Sequence, residues 1–501
     1  MTRRLVACWL LLAPAAQAST GERLDALLAA RWAAGDVAPA TVCDDATFVR
    51  RAWLDLAGRV PPAAEVTRFV NNKRGDKRAR LVDDLLAGPA FAEHWGYAWA
   101  TRLTQRRPNK QDTHDGYALA EWLRERMAGK TPYDRVVSDM ITAEGLQDAN
   151  GAVNYLLRYE AKPEVVAGAV GRQFLGITLG CAQCHDHKSA RWRQDDFWGV
   201  AAFFARTKRV TAEGDDQSRR GVLEARRGEL TRPDPNGDEW SDEEVPTKVI
   251  APQVPGGKPI TAVRRRAELA AWVTARDNPY FARNTINQVW DQLFGTPLVR
   301  TLDDLPAVVR DPWAPVLDLL ADDFAAGGFD FRRPIRAIVL SRAYAAAAAG
   351  VANPEAAEKQ RALFARFPVR PLTADQLYRS VVQATGHTGE PDPPPSDDER
   401  PNVDRPAEFF GVDDGAVPRA LAVLNGPFVH DAVEAGAKKL TEAGGPTDRK
   451  LVTALFLATL SRRPADAEAD DLLALVKDGG EGGVADALWA LFNSAEFTTN
   501  H

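Results

Sequence analysis

The sequence predicts a mainly α protein built from two helical domains. Three observations carry that prediction. Apolar residues recur at helical spacing through 19–210 and again through 255–501. The interval between them, 211–254, is acidic and broken by Pro and Gly: residues 211–250 hold 11 Asp/Glu against 6 Lys/Arg. No series of alternating apolar and polar residues argues for a large sheet. The 501 residues exceed one ordinary core. With 45% hydrophobic and 26% charged residues, the chain has the make-up of a globular protein. A net charge of −6 with scattered Lys and Arg excludes the basic surface of a general nucleic-acid binder.

Residues 1–18 read as a signal peptide. Arg3 and Arg4 precede the apolar run LVACWLLLAPAA, and Ala16-Gln17-Ala18 supplies the small-residue cleavage pattern. The mature chain then starts at Ser19. The run is too short for a confident membrane span, and no later segment offers one. The expectation is an exported protein, periplasmic or secreted, with no membrane span in its mature form.

The first domain, 19–210, is predicted from several stripes. RLVDDLLAG places Leu81, Val82, Leu85 and Leu86 on one helical face. ALAEWLRERMAG does the same with Leu119, Trp122, Leu123 and Met127, and Gly129 stops it. Pro163 suits a first helical turn, with Val166, Val170 and Phe174 following at turn spacing. Gly176 and Gly180 predict a break just before residue 181. Arg50, Arg51 and Asp55 stand at helical spacing and read as an internal ion pair, with Gly58 ending the helix. Residues 211–254 read as an irregular linker in which VPTKVIAP alone looks extended, enough for a small β-hairpin. In the second domain, 255–501, Phe281, Ile286, Val289, Trp290 and Leu293 form a stripe. Thr373-Ala374-Asp375-Gln376 is a capping box, and GEPDPPPSDDERP at 389–401 is a surface loop.

Four cysteines become three when Cys8 leaves with the signal. Cys43 reads as a partly buried free thiol. Cys181, Cys184 and His185 spell C-x-x-C-H, and His187 follows. On a helical turn these three side chains point the same way. Two thiols on one porphyrin edge can bond its vinyl groups while the imidazole reaches the iron, so the spacing suits c-type haem attachment. Trp192, Phe197, Trp198, Phe203 and Phe204 follow closely and are candidates to cover a haem face. A sixth ligand would come from His94, His114, His387, His430 or His501, each of which reads first as an ordinary histidine. Met127 and Met140 read as core.

Zinc is the nearest rival. Cys181, Cys184, His185 and His187 are four ligand types within seven residues. Structural zinc usually takes a second ligand pair from a distant segment, for which His94 or His114 would serve. A redox dithiol ranks third, because C-x-x-C then normally opens a helix beside a parallel sheet. There is no G-x-S-x-G, phosphate loop or H-E-x-x-H.

Longer stretches carry a family resemblance. They include DDATFVRRAWLDLAGRVP at 44–61, FAEHWGYAWATRL at 91–103 and FLGITLGCAQCHDHKSARWRQDDFWGVAAFFART at 174–207. The second half adds RRRAELAAWVTARDNPYFARNTINQVWDQLFG at 264–295, FDFRRPIRAIVLSRAY at 329–344, RPLTADQL at 370–377, LNGPFV at 424–429 and LWALFNSAEFTTNH at 488–501. In this order they resemble the exported planctomycete-type proteins that join domain of unknown function 1549 (cytochrome-like) to domain of unknown function 1553. The resemblance implies a haem-binding C-x-x-C-H and says little about activity. The chain departs from the family at two places. Lys188-Ser189-Ala190-Arg191 stands where a Pro-containing turn is expected, and Gln288 stands where an Arg is usual.

Three functions therefore compete. The first is a c-type haem electron-transfer protein working with a redox partner or another exported protein. The second is a non-haem binding or scaffold protein with zinc or a dithiol at Cys181–His187. The third is an accessory enzyme of exported polysaccharide breakdown, for which no carboxylate pair stands out. The export reading has a direct check. A chain lacking residues 1–18 is expected to stay in the cytoplasm in cell fractionation, and its recovery outside would contradict the signal peptide.

Overall fold

The computed structural model describes residues 18–105, 116–188, 190–212, 219–233, 247–350, 353–389, 405–410, 416–442 and 448–501. The predicted signal through residue 17, His114 and all but the first residue of the 389–401 loop lie outside the described residues. Helices dominate and the strands are short, so the mainly α prediction holds. No helix among the described residues is long and apolar enough to cross a membrane.

The first helix, Thr20–Ala34, opens on a capping box. Ser19 Oγ accepts from the Glu22 N–H at 3.3 Å, and the Glu22 carboxylate accepts from the Ser19 N–H at 2.7 Å. Helices Lys77–Ala87 and Gly116–Ala128 bury the stripes read from their sequences. Pro163 starts the helix Pro163–Val170, which widens into a π turn at Gly171–Leu175. Gly176 ends it at φ +68°. The helix Phe281–Phe294 buries Phe281, Ile286, Val289, Trp290 and Leu293. Thr373 and Gln376 form the predicted capping box of Ala374–Thr385.

The interval read as a linker holds more pairing than one hairpin. Arg220–Glu224 pairs antiparallel with Thr207–Thr211 on one side and with Gly145–Leu146 on the other. Leu230–Pro233 pairs antiparallel with Thr247–Ile250. Thr247–Ile250 lies in the VPTKVIAP stretch read as extended and forms the expected hairpin, whereas the strands at 145–146, 207–211 and 220–224 are too short to carry an alternating apolar signal.

The apolar core does not divide at that interval. One core runs from Leu24 to Phe367 and includes residues on both sides of it. A second core holds residues 372–497 together with Leu54 and Val60. The helix Asp45–Ala57 therefore lies between the two. Phe48, Val49, Ala52 and Leu56 face the first core, and Leu54 faces the second. A helix packed on all sides has no solvent face for its charged residues. Arg50, Arg51 and Asp55 are accordingly buried.

Their partners differ from the expected internal pair. Arg50 donates to the carbonyls of Thr459, Glu496 and Phe497. Arg51 donates to the carbonyls of Ala346, Tyr344 and His501. Asp55 accepts from Arg370 at 2.7 Å, Tyr344 Oη at 2.8 Å and Asn500 Nδ2 at 2.9 Å. Helical spacing put Arg50, Arg51 and Asp55 near one another, but buried carbonyls and Arg370 offered better-directed partners. Gly58 ends the helix in the left-handed conformation, as read.

A second buried charge ties the cores together. Asp375, on Ala374–Thr385, accepts from Arg379 Nε at 2.9 Å and faces His94 Nδ1 at 3.8 Å. Burial opposes ionisation of Asp375, but Arg379 and His94 outweigh it and hold its pKa at about 2. The folded pKa is depressed, so this stabilisation is present above the unfolded value of about 4 and is lost as pH falls below it. Urea unfolding of the native chain should weaken between those values. Asp375→Asn is expected to be less stable at neutral pH, with a flatter dependence across that window. An unchanged slope would show that Asp375 plays no part.

Candidate functional site at the Cys-x-x-Cys-His loop

The turn before the motif is fixed by its backbone. Gly176 is left-handed, and a Cβ there would stand 2.6 Å from Asn284 Oδ1. Asn284 Nδ2 and Gln288 Nε2, both on Phe281–Phe294, donate to the Gln173 carbonyl at 2.8 Å each. Gln288, where the resemblance expects Arg, thus holds the backbone leading into the motif. The chain then enters a 3₁₀ helix, Leu179–Gln183, with Cys184 as its C-cap.

That geometry decides how the thiols stand. A 3₁₀ helix has three residues per turn, so side chains at i and i+3 eclipse. Cys181 and Cys184 consequently share an edge, and both are exposed free thiols. The α-helical turn read from the spacing is a tighter turn here, and His185 falls just beyond it.

The two histidines are not equivalent. His185 is exposed, and its Nδ1 lies 2.8 Å from the Asp186 carbonyl, which can only accept. The proton therefore sits on Nδ1, leaving the Nε2 lone pair for a ligand. His187 is half-buried. Its Nδ1 accepts from the Ala190 N–H at 2.9 Å, and its Nε2 lies 3.2 Å from Thr178 Oγ1. Both of its ring nitrogens are engaged by protein. Among the described residues, no group of three or more His, Cys, Asp and Glu side chains is placed to hold a metal ion.

Asp303 organises this loop from the second half of the chain. It is buried, and its Oδ1 accepts from the Thr178 N–H at 2.5 Å and Trp192 Nε1 at 3.1 Å. Its Oδ2 accepts from Thr178 Oγ1 at 2.8 Å and Thr301 Oγ1 at 2.7 Å. The two ends of the motif loop, Thr178 and Trp192, are thus pinned to one carboxylate. Gln194 and Trp198 complete the frame, donating to the carbonyls of Cys184 at 2.5 Å and Gln183 at 3.1 Å.

Other sequence expectations settle differently. Trp192, Phe197, Phe203 and Phe204 are buried in the first core, and only Trp198 stays half-exposed near the thiols. They brace the loop from beneath. Met127 and Met140 are core residues, as read. His94 faces Asp375, His387 packs on Phe428 at 5.6 Å, and His430 lies 3.3 Å from Glu434. His501 is half-buried, and its carbonyl accepts from Arg51. None of these contacts reaches the motif. Sequence reasoning missed Asp303 and Thr178 because neither belongs to a ligand or catalytic spacing. The Thr301-x-Asp303 pair carries no signal until the fold brings it under Trp192.

Fold and site together define a mainly α protein whose exposed Cys-x-x-Cys-His loop is braced by its second half. Residues 23–209 match the family described as "Protein of unknown function (DUF1549)", and residues 265–408 match "Protein of unknown function (DUF1553)". The chain belongs to the proteins that join these two families in that order. No curated protein and no solved structure matches it.

Removing the brace should be measurable. Asp303→Ala leaves the buried Trp192 Nε1 without its acceptor, a cost of about 1–3 kcal/mol, and releases the exposed Thr178 N–H to water. Amide exchange across 178–192 is expected to accelerate relative to the helix Phe281–Phe294. Equal protection in both segments would mean that the loop is held by other contacts.

Proposed function

We propose that the chain is a c-type haem-binding electron-transfer protein. Cys181 and Cys184 would form the thioethers, and His185 would ligate the iron. The observation that carries this reading is the sorting of the two histidines. His185 has a free Nε2 and a carbonyl partner on Nδ1, the arrangement a metal-bound imidazole needs. His187 spends both nitrogens inside the loop, which removes it from a zinc set. What remains is two eclipsed, exposed thiols and one imidazole, the donor set of covalent haem rather than of a closed zinc tetrahedron.

When bound, haem would supply one-electron redox chemistry. The chain's own residues do the positioning. Asp303 fixes the loop ends, the 3₁₀ turn aligns the thiols, and the Asp186 carbonyl sets the tautomer of His185. An exported location would suit thioether formation, which in bacteria takes place outside the cytoplasm.

The test is expression with haem-attachment machinery, followed by absorption spectroscopy and metal analysis. Native protein is expected to show a Soret band that survives acid–acetone extraction. Cys181→Ser with Cys184→Ser should abolish it. Stoichiometric zinc without haem would sink the electron-transfer reading and make the site structural.

A further inference from the structure

A cavity of about 510 Å³ opens where three helices meet, away from the motif's ligands. Pro89–Thr104 and Gly116–Ala128 contribute to the first core, and Ala374–Thr385 contributes to the second. Clefts between packed units are common places for small ligands. Gly96 lets the first two helices approach: a Cβ there would lie 2.8 Å from the Arg124 backbone nitrogen. Their facing turns bring Glu93 and Tyr97 together with Tyr117, Glu121 and Arg124 around the opening.

The charges on this lining are already matched. Glu121 accepts from Arg124 Nε at 2.7 Å. Arg379 lies 2.9 Å from Asp375 Oδ1 and 3.4 Å from Glu93 Oε2. Three acids and two guanidiniums leave little net charge, so a strongly ionic ligand gains nothing there. These carboxylate–guanidinium pairs instead present acceptors and N–H donors side by side, which matches a hydroxyl that both donates and accepts. Asp375 borders the cavity and is 4% exposed, with its Oδ2 turned to His94 Nδ1 at 3.8 Å, so it backs the lining and does not meet a ligand directly. Tyr97 and Tyr117 are half-buried and supply apolar ring surface. Tyr378 is a fixed wall, its ring stacked on Phe409 and Phe428 and its hydroxyl bonded to the Thr388 carbonyl.

We infer that this cavity binds a neutral saccharide of one or two rings, with its hydroxyls on the Glu121–Arg124 and Glu93–Arg379 pairs and its C–H faces against Tyr97 and Tyr117. The proposal is independent of haem. It is tested by calorimetric titration of the full chain with glucose, galactose, mannose, xylose and cellobiose, with alanine and choline as zwitterionic and cationic contrasts. At least one sugar is expected to saturate while neither contrast binds. Arg124→Met and Tyr97→Ala are each expected to weaken that sugar by about tenfold or more. Arg124 is substantially exposed, so its substitution should leave the circular dichroism melt unchanged. Leu421→Ala, in another cavity, should leave binding unchanged. Failure of every sugar, binding indifferent to both substitutions, or preference for alanine or choline would each overturn the proposal.

Discussion

One carboxylate, Asp303, accepts four hydrogen bonds, and the motif loop depends on it. Two come from Thr178, where the chain leaves the Gly176 turn, and one from Trp192, where it rejoins the core. The fourth, from Thr301, orients the carboxylate itself. A buried acceptor with four donors is fully satisfied and therefore rigid, whereas without it the buried Trp192 Nε1 would be orphaned. Between the pinned ends, Cys181, Cys184 and His185 stay exposed while the backbone beneath them is fixed. The two thiols and the imidazole are thereby held on a fixed backbone, which would lower the cost of binding the haem proposed above.

That brace crosses from the second family segment to the first, and it is not alone. The core from Leu24 to Phe367 mixes both segments, and the helix Asp45–Ala57 is wedged between this core and the C-terminal one. Asp55 joins that helix to Tyr344, Arg370 and Asn500, and Asp375 reaches back to His94. Buried charges of this kind add little net stability over apolar packing, but breaking one leaves a stranded charge. Their effect is to fix which surfaces meet. The two segments share one apolar core beneath the loop.

Much of the helical framework was legible because its signals are local. Leu81, Val82, Leu85 and Leu86 needed only the helical period, and Thr373 with Gln376 needed only the capping pattern. Gly176 announced the break before the motif. The strands at 207–211 and 220–224 were not legible, since five-residue strands with so few apolar residues leave no alternating pattern. In the site, residue types and spacing identified Cys181, Cys184, His185 and His187. They could not separate the two histidines, because the partners of His187 are Ala190 N–H and Thr178, and the second depends on Asp303. The Arg50, Arg51 and Asp55 reading failed for a related reason. Proximity along a helix was visible, but the carbonyls and Arg370 that outcompete it come from hundreds of residues away.

Covalent haem on Cys181 and Cys184 is the proposal from which the electron-transfer function follows. Intact-mass and peptide mass spectrometry of the native chain tests this most directly. A chain heavier by one haem is expected, with the added mass on the peptide spanning Cys181–His185. An unmodified peptide with two free thiols, from cells that attach haem to other proteins, would contradict it.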